Sequence, residues 1–140
     1  MISSIASLLK QHGLRDTQAR RMVVHALEAL QKPVSAYEIQ KWILAQGDTV
    51  STVTVYRIIE MLQVLNVVHR HPCSGHVSLC SLPDQKGHHG FLHCQSCGSV
   101  QEFSDALLCR AEDSVARKAK FQPLKHVSEI IGLCQCCVSS

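Results

Sequence analysis

Apolar residues in the first third of the chain recur every three to four positions. Val23, Val24, Leu27 and Leu30 form one stripe of a helix that Asp16 or Thr17 can cap. Ile2, Ile5, Leu8 and Leu9 predict a shorter helix over 1–12. Pro33 breaks the chain, and Ser35 with Glu38 then has the spacing of a capping box, opening a third helix that stops near Gly47. The segment from Val50 is locally mixed. Its β-branched run through Tyr56 favours a strand, yet Val55, Ile58, Ile59 and Leu62 lie on one helical face, so we read a helix capped by Ser51. Asn66 turns the chain, and residues 67–71 and 76–80 predict a hairpin around Pro72, Ser74 and Gly75.

Beyond residue 80 the pattern changes. Residues 81–87 have linker composition. Strands are predicted at 90–94, 99–103 and 126–131. Ser104 or Asp105 opens a helix to about residue 120, with Leu107, Leu108, Ala111 and Val115 inward. The fold class is therefore α+β: an N-terminal winged helix-turn-helix over 1–80, a hinge over 81–87 and a small α/β module over 88–140.

Charge separates the same two parts. Residues 1–80 hold eight basic side chains against five acidic ones, whereas 81–140 balance at six each. The third and fourth helices form the reading pair of a winged helix. Thr52, Thr54, Tyr56 and Arg57 then lie near the exposed start of the recognition helix, where side chains reach the major groove. Arg15, Thr17, Arg20 and Arg21 are placed to hold phosphates. A net charge of +3 is a small electrostatic footprint, so charge alone also fits a solvated basic face.

The composition is unusual in its 8 Cys and 9 His. No stretch approaches the ~20 apolar residues of a membrane helix, and the N-terminus has poor secretory-signal chemistry. The expected location is the cytoplasm, where thiols stay reduced and metal binding is the better reading of clustered cysteines. Cys94-x-x-Cys97 and Cys134-x-x-Cys137 bracket the second module and can complete one closed tetrahedral zinc site. Cys136 between the last pair is an alternative ligand, and a thiol–disulfide pair is the competing chemistry. Further donors run from His69 through His71, Cys73, His76, Cys80, His88, His89, His93, Glu102 and Cys109 to His126, and spacing does not choose among them.

Taken together, Gly13-Leu14-Arg15-x-Thr17-x-x-Arg20, Thr54-Val55-Tyr56-Arg57, His88-His89, Cys94-x-x-Cys97-Gly98, His126 and Gly132-x-Cys134-x-x-Cys137 resemble the ferric-uptake-regulator family, across nearly the whole chain. Within it the chain is similar to the zinc-uptake-regulator branch. The resemblance implies a homodimer whose winged helices bind a palindromic DNA operator and whose C-terminal modules dimerise. It implies repression of zinc-uptake genes, with two zinc ions per chain: a structural one at Cys94, Cys97, Cys134 and Cys137, and a regulatory one at His69, Cys80, His88 and Glu102. Gly90 and Phe91 replace the Asp and second His of the family's iron and manganese pattern, and Cys109 stands where an acidic ligand is expected. His89, Cys109 and His126 remain candidates for a third site. Four filled positions leave no open site for hydrolysis, so no enzyme is expected. The alternative within the family is a thiol-based redox sensor or a sensor of another metal.

Overall fold

The computed structural model describes residues 5–81, 89–124 and 126–139. Four helices come first: α1 (Ile5–Gln11), α2 (Gln18–Leu30), α3 (Ala36–Ala45) and α4 (Thr52–Val64). Thr17 rather than Asp16 caps α2, its hydroxyl accepting from Arg20 N. Asp16 instead pairs with the Arg21 guanidinium, which holds its carboxyl below the ordinary range. Ser35 and Glu38 form the reciprocal box at the head of α3. Ser51 caps α4 by accepting from Thr54 N, so helical period prevails over the strand propensity of its first residues.

The helices pack because their stripes meet. Val23, Val24 and Leu27 of α2, Ile39 and Ile43 of α3, and Val55, Ile59 and Leu62 of α4 are almost wholly buried in one cluster. Asn66 takes a left-handed conformation (φ 59°) and turns the chain into β1 (Val68–Arg70). β2 (Val77–Leu79) returns antiparallel, with His69 opposite Ser78. Val34 adds a bridge to Val77 in both directions, at 2.9 and 2.8 Å, which seals the hairpin onto the helical core. No described helix is long and apolar enough to cross a membrane.

The second part carries β3 (His89–Cys94), β4 (Val100–Ser104), α5 (Ala106–Lys118), β5 (Ser128–Gly132) and α6 (Gln135–Val138). β3 is central, antiparallel to β4 and parallel to β5. Parallel strands need a crossover, and α5, capped by Asp105, provides it. By contacts the chain divides into two compact units: one holds residues 1–70 and 75–79, the other 71–74 and 80–140. The expected boundary ran at residue 80, after the whole hairpin. The hairpin tip groups with the second unit because His71 is buried against the Phe91 ring, 4.3 Å between centroids, and Cys73 N donates to Glu129 Oε2 at 2.9 Å.

One expectation fails here. The stripe Leu107, Leu108, Ala111 and Val115 does not face inward; no residue of α5 is buried, and Leu107 and Val115 are 73% and 68% exposed. The sheet of β3, β4 and β5 leaves that stripe uncovered. The short α6 was not anticipated at all, because four residues carry no readable period.

Ser35→Ala should cost about 1 kcal/mol of unfolding free energy, the usual worth of such a cap, measured by chemical denaturation. The Ser35 backbone N–H, chiefly, holds the Glu38 carboxyl below its ordinary value. The carboxylate half of the box should therefore act fully above pH 4.5 and be lost as acid protonates Glu38, so the difference between wild type and Glu38→Ala, which removes that half, should shrink on acidification.

Candidate metal centres and nucleic-acid interface

Two turns build the first centre. Cys94 ends β3, and the tight turn after it needs Gly98 at φ 76°, which lets Gly98 N reach Cys94 O at 3.0 Å. Cys134 caps α6, whose single turn brings round Cys137, with Cys137 N donating to Cys134 O at 3.0 Å. Gln95 N donates to Gly132 O at 2.9 Å and holds the turns together. One sulfur of each of Cys94, Cys97, Cys134 and Cys137 then lies within 4.8 Å of the others. Backbone N–H groups of Cys97 and Cys134 pull the Cys94 thiol down to about 6, and the Ser99 hydroxyl and N–H lower Cys97. These donors favour thiolate, the form that binds metal. Four soft sulfurs at tetrahedral reach fit zinc, which would be held by all four with no open position. Cys136 is exposed and outside the group.

The second centre assembles on the same sheet. His89 on β3 pairs with Ser104, and Glu102 on β4 pairs with Phe91. His89 and Glu102 are thus diagonal neighbours on one face. His89 Nδ1 and Glu102 Oε1 meet at 2.6 Å, with both side chains nearly buried. Cys80 Sγ lies 3.5 Å from each of them. Ser81 fixes the other carboxylate oxygen, donating from its N–H and its hydroxyl to Glu102 Oε2 at 2.6 Å each. A thiol, an imidazole and a carboxylate around one point, oriented by further hydrogen bonds, is a donor set for a divalent cation of intermediate softness. Cys80 and Glu102 are thus brought together as expected residues. His88 lies outside the described residues, and the imidazole that joins them is that of His89. His69 stands half-buried on β1 of the first unit.

Around Cys109 the arrangement differs. His126 closes on two carboxylates, Glu112 Oε2 at 2.8 Å through Nδ1 and Asp113 Oδ1 at 3.0 Å through Nε2, with Cys109 Sγ 4.0 Å from Nδ1. Those carboxylates were absent from the expected donors, although Glu112 and Asp113 sit one helical turn after Cys109. His89, a candidate for this place, turns its Nδ1 to Cys80 and Glu102 instead.

The two departures from the iron pattern have a packing reason. Gly90 pairs with Phe103, and a Cβ at Gly90 would lie 2.3 Å from that ring. A side chain there would have to displace the Phe103 ring. Phe91 is buried under His71. Both positions serve the core.

In the first unit, Tyr56 and Arg57 are exposed on the first turns of α4, next to buried Val55. The hydroxyls expected beside them are engaged within the protein. Thr52 donates to Gln40 Oε1 at 2.7 Å, Thr54 accepts from Ser51 at 2.9 Å, and Thr17 caps α2. Arg20 donates to Arg15 O at 2.8 Å, so its guanidinium braces the loop before α2, and Arg15 is exposed.

Residues 11–131 match the family model described as the Ferric uptake regulator family. The chain belongs to this family. A ferric uptake regulation protein of Legionella pneumophila is 34% identical over 130 residues, covering 92% of this chain and 95% of that protein. Among solved structures, a zinc uptake regulator complexed with zinc and DNA matches with TM-score 0.87 at 26% identity, covering 96% of this chain and 90% of that one. Holo XcZur matches with TM-score 0.82 at 30% identity over 94% of this chain and 92% of that one.

Two variants test these centres. Gly90→Ala should lose about 1–3 kcal/mol, the cost of overpacking against Phe103, read as a lower midpoint of denaturation with zinc present. Cys97→Ser should leave about one zinc fewer per chain and a second unit that loses protection in hydrogen exchange, while the helices of the first unit keep theirs. Full protection of the second unit would remove the structural role of the four cysteines.

Proposed function

We propose that this protein is a zinc-responsive transcriptional repressor of zinc-uptake genes, a homodimer whose DNA binding is switched on by zinc. Membership of the family supports the coarser reading, a metal-responsive DNA-binding regulator in the cytoplasm and not an enzyme. The observation that carries the metal is the thiol of Cys80 beside His89 and Glu102. A sulfur donor favours zinc over iron(II) or manganese, which prefer nitrogen and oxygen. Gly90 and Phe91 point the same way, since packing occupies the two positions at which an iron-type pattern has ligands. The two neighbours with TM-scores of 0.87 and 0.82 are zinc regulators.

In this reading the regulatory ion takes His69, Cys80 and Glu102 with His89, the imidazole found beside them in place of the expected His88. Three donors leave one tetrahedral position, and the course of the hairpin supplies a fourth: Cys80 follows directly on β2, whose Ser78 is paired with His69. The structural ion takes Cys94, Cys97, Cys134 and Cys137. Zinc supplies a charge that makes thiolate, imidazoles and carboxylate gather rather than repel or separate. Their gathering ties β1, which belongs to the reading domain, to β3 and β4, which belong to the dimer module. A dimer reads two half-sites only when its recognition helices are held a fixed distance apart, ~34 Å or a multiple. Ordering the domains beforehand raises apparent DNA affinity, and a coupling of roughly 1–3 kcal/mol corresponds to about 5–150-fold. The exposed apolar residues of α5 and β5, Leu107, Val115, Ile130 and Ile131, supply the face on which a second copy packs.

At the DNA, Tyr56 offers its ring to a thymine methyl and Arg57 its guanidinium to guanine or phosphate. Arg15 is a phosphate contact, and Arg20 holds the loop that presents it. Thr17, Thr52 and Thr54 set the starts of the two helices.

The names of the sequence relatives favour a second reading, an iron sensor, and one experiment separates the two. Operator affinity is titrated against buffered free zinc, iron(II) and manganese. Zinc should raise it about 5–150-fold at lower free concentration than either other ion, and Cys80→Ser should abolish this response while the dimer stays folded. A response to iron(II) that survives Cys80→Ser would install the iron reading. Arg57→Ala should weaken operator binding with zinc content unchanged, measured by metal analysis of the same sample.

A further inference from the structure

The turn between α3 and α4 is spanned by a single amide. Gln40 lies half-buried on α3, and both ends of its side chain are used. Nε2 donates to the carbonyl of Val50 at 2.9 Å, and Oε1 accepts from the Thr52 hydroxyl at 2.7 Å. One contact falls just before the cap of α4 and the other on its first residue. Ser51, between them, spends its own hydroxyl on Thr54, accepting from Thr54 N and donating to Thr54 Oγ1. A second, looser tie runs from Gln18 Nε2 to Asp48 Oδ1 at 3.3 Å, on the exposed side of the same turn.

Hydrophobic contacts hold α4 against α3 through Val55, Ile58 and Ile59, but apolar packing is tolerant of rotation and slide about the helix axis. The amide is not: it has one donor end and one acceptor end, and each is matched to a specific backbone or hydroxyl atom across the turn. From this geometry we infer that Gln40 is a positioning residue for operator discrimination. It fixes the angle and depth at which the first turns of α4, with Tyr56 and Arg57, are presented to base edges. This inference rests on the reading of α4 as the recognition helix. Base-edge hydrogen bonds need their donors within about 0.5 Å and 10–20° of the productive pose, whereas phosphate contacts tolerate more. Loss of the clamp therefore degrades selective binding and leaves the nonspecific electrostatic part in place.

The test uses the full-length, zinc-loaded protein and two duplexes: one selected by the wild type from random sequences, the other a scramble of the same composition. Gln40→Met keeps the length of the side chain and removes both hydrogen bonds. It should lower affinity for the selected duplex by roughly 5–100-fold, the scale of one bidentate base contact. Affinity for the scramble and its salt dependence should stay within about twofold, because Lys and Arg contacts set them. Thr52→Val should reproduce part of the loss, Thr52→Ser should restore it, and the double variant should be no worse than Gln40→Met alone. Amide hydrogen exchange at Val53–Arg57 should speed up in Gln40→Met without DNA present.

Unchanged discrimination in a folded Gln40→Met protein would overturn the inference, as would equal losses on both duplexes or full additivity of the two substitutions. Should Gln40→Met unfold, the Thr52→Val and Thr52→Ser pair decides by the same ratio of affinities. If the wild type selects no duplex at any zinc level, the DNA-binding reading falls, while hydrogen exchange still reports whether Gln40 orders the start of α4.

Discussion

Four sulfurs within 4.8 Å of one another are the constraint on which the second unit depends. The core there is thin: among its described residues only His71, Gly90, Phe91 and Cys94 are buried. So small a core does not hold a fold without a staple or a partner. The arrangement of thiols is also self-defeating without a cation, since neighbouring thiolates repel and neutral thiols attract weakly. A metal at this point joins the end of β3 to the turn after β5 and converts repulsion into folding free energy. The register of β3 against β4 and the contact with the hairpin tip then place His89 beside Glu102 and Phe91 beneath His71.

The same strand shows how packing and ligand chemistry compete for positions. β3 sends alternate residues to opposite faces. Gly90 accepts the Phe103 ring from β4, and Phe91 accepts His71 from the hairpin tip. Each of these contacts excludes a ligand from that position, and together they leave His89 as the described donor at the start of the strand. The thiol of Cys80 then sets the character of the cluster.

Local rules made much of the fold legible in advance. Thr17, Ser35, Ser51 and Asp105 cap the helices because short side-chain oxygens satisfy orphan backbone donors, an interaction contained within four residues. The period of Val55, Ile58, Ile59 and Leu62 overrode a β-branched run because burial of a helical face outweighs propensity. The cysteine knuckles were legible for the same reason, their spacing being a local matter. What escaped was nonlocal. That His89 lies beside Cys80 and Glu102 depends on strand register, which short-range spacing does not set. The stripe of α5 is amphipathic, yet it stands exposed, because helical period alone does not say what a face packs against. The bonds of Thr52 to Gln40 and of Thr54 to Ser51 are likewise not legible from spacing alone.

Two kinds of likeness point to different metals, and physical chemistry explains how both can hold. At 34% identity over 130 residues, the Legionella pneumophila relative shares the pattern that builds helices, wing and sheet. That pattern is spread over dozens of positions and is insensitive to any one of them. Metal preference resides in a handful of side chains, and exchange of one oxygen or nitrogen donor for sulfur changes it while leaving overall identity almost untouched. The deciding information is therefore carried by Cys80, His89, Gly90, Phe91 and Glu102, not by the count of matching residues. At those positions a thiol is present, the Phe103 ring lies over Gly90, and the Phe91 ring packs against His71. In the zinc reading proposed above, the thiol is the donor that disfavours a hard-ligand site.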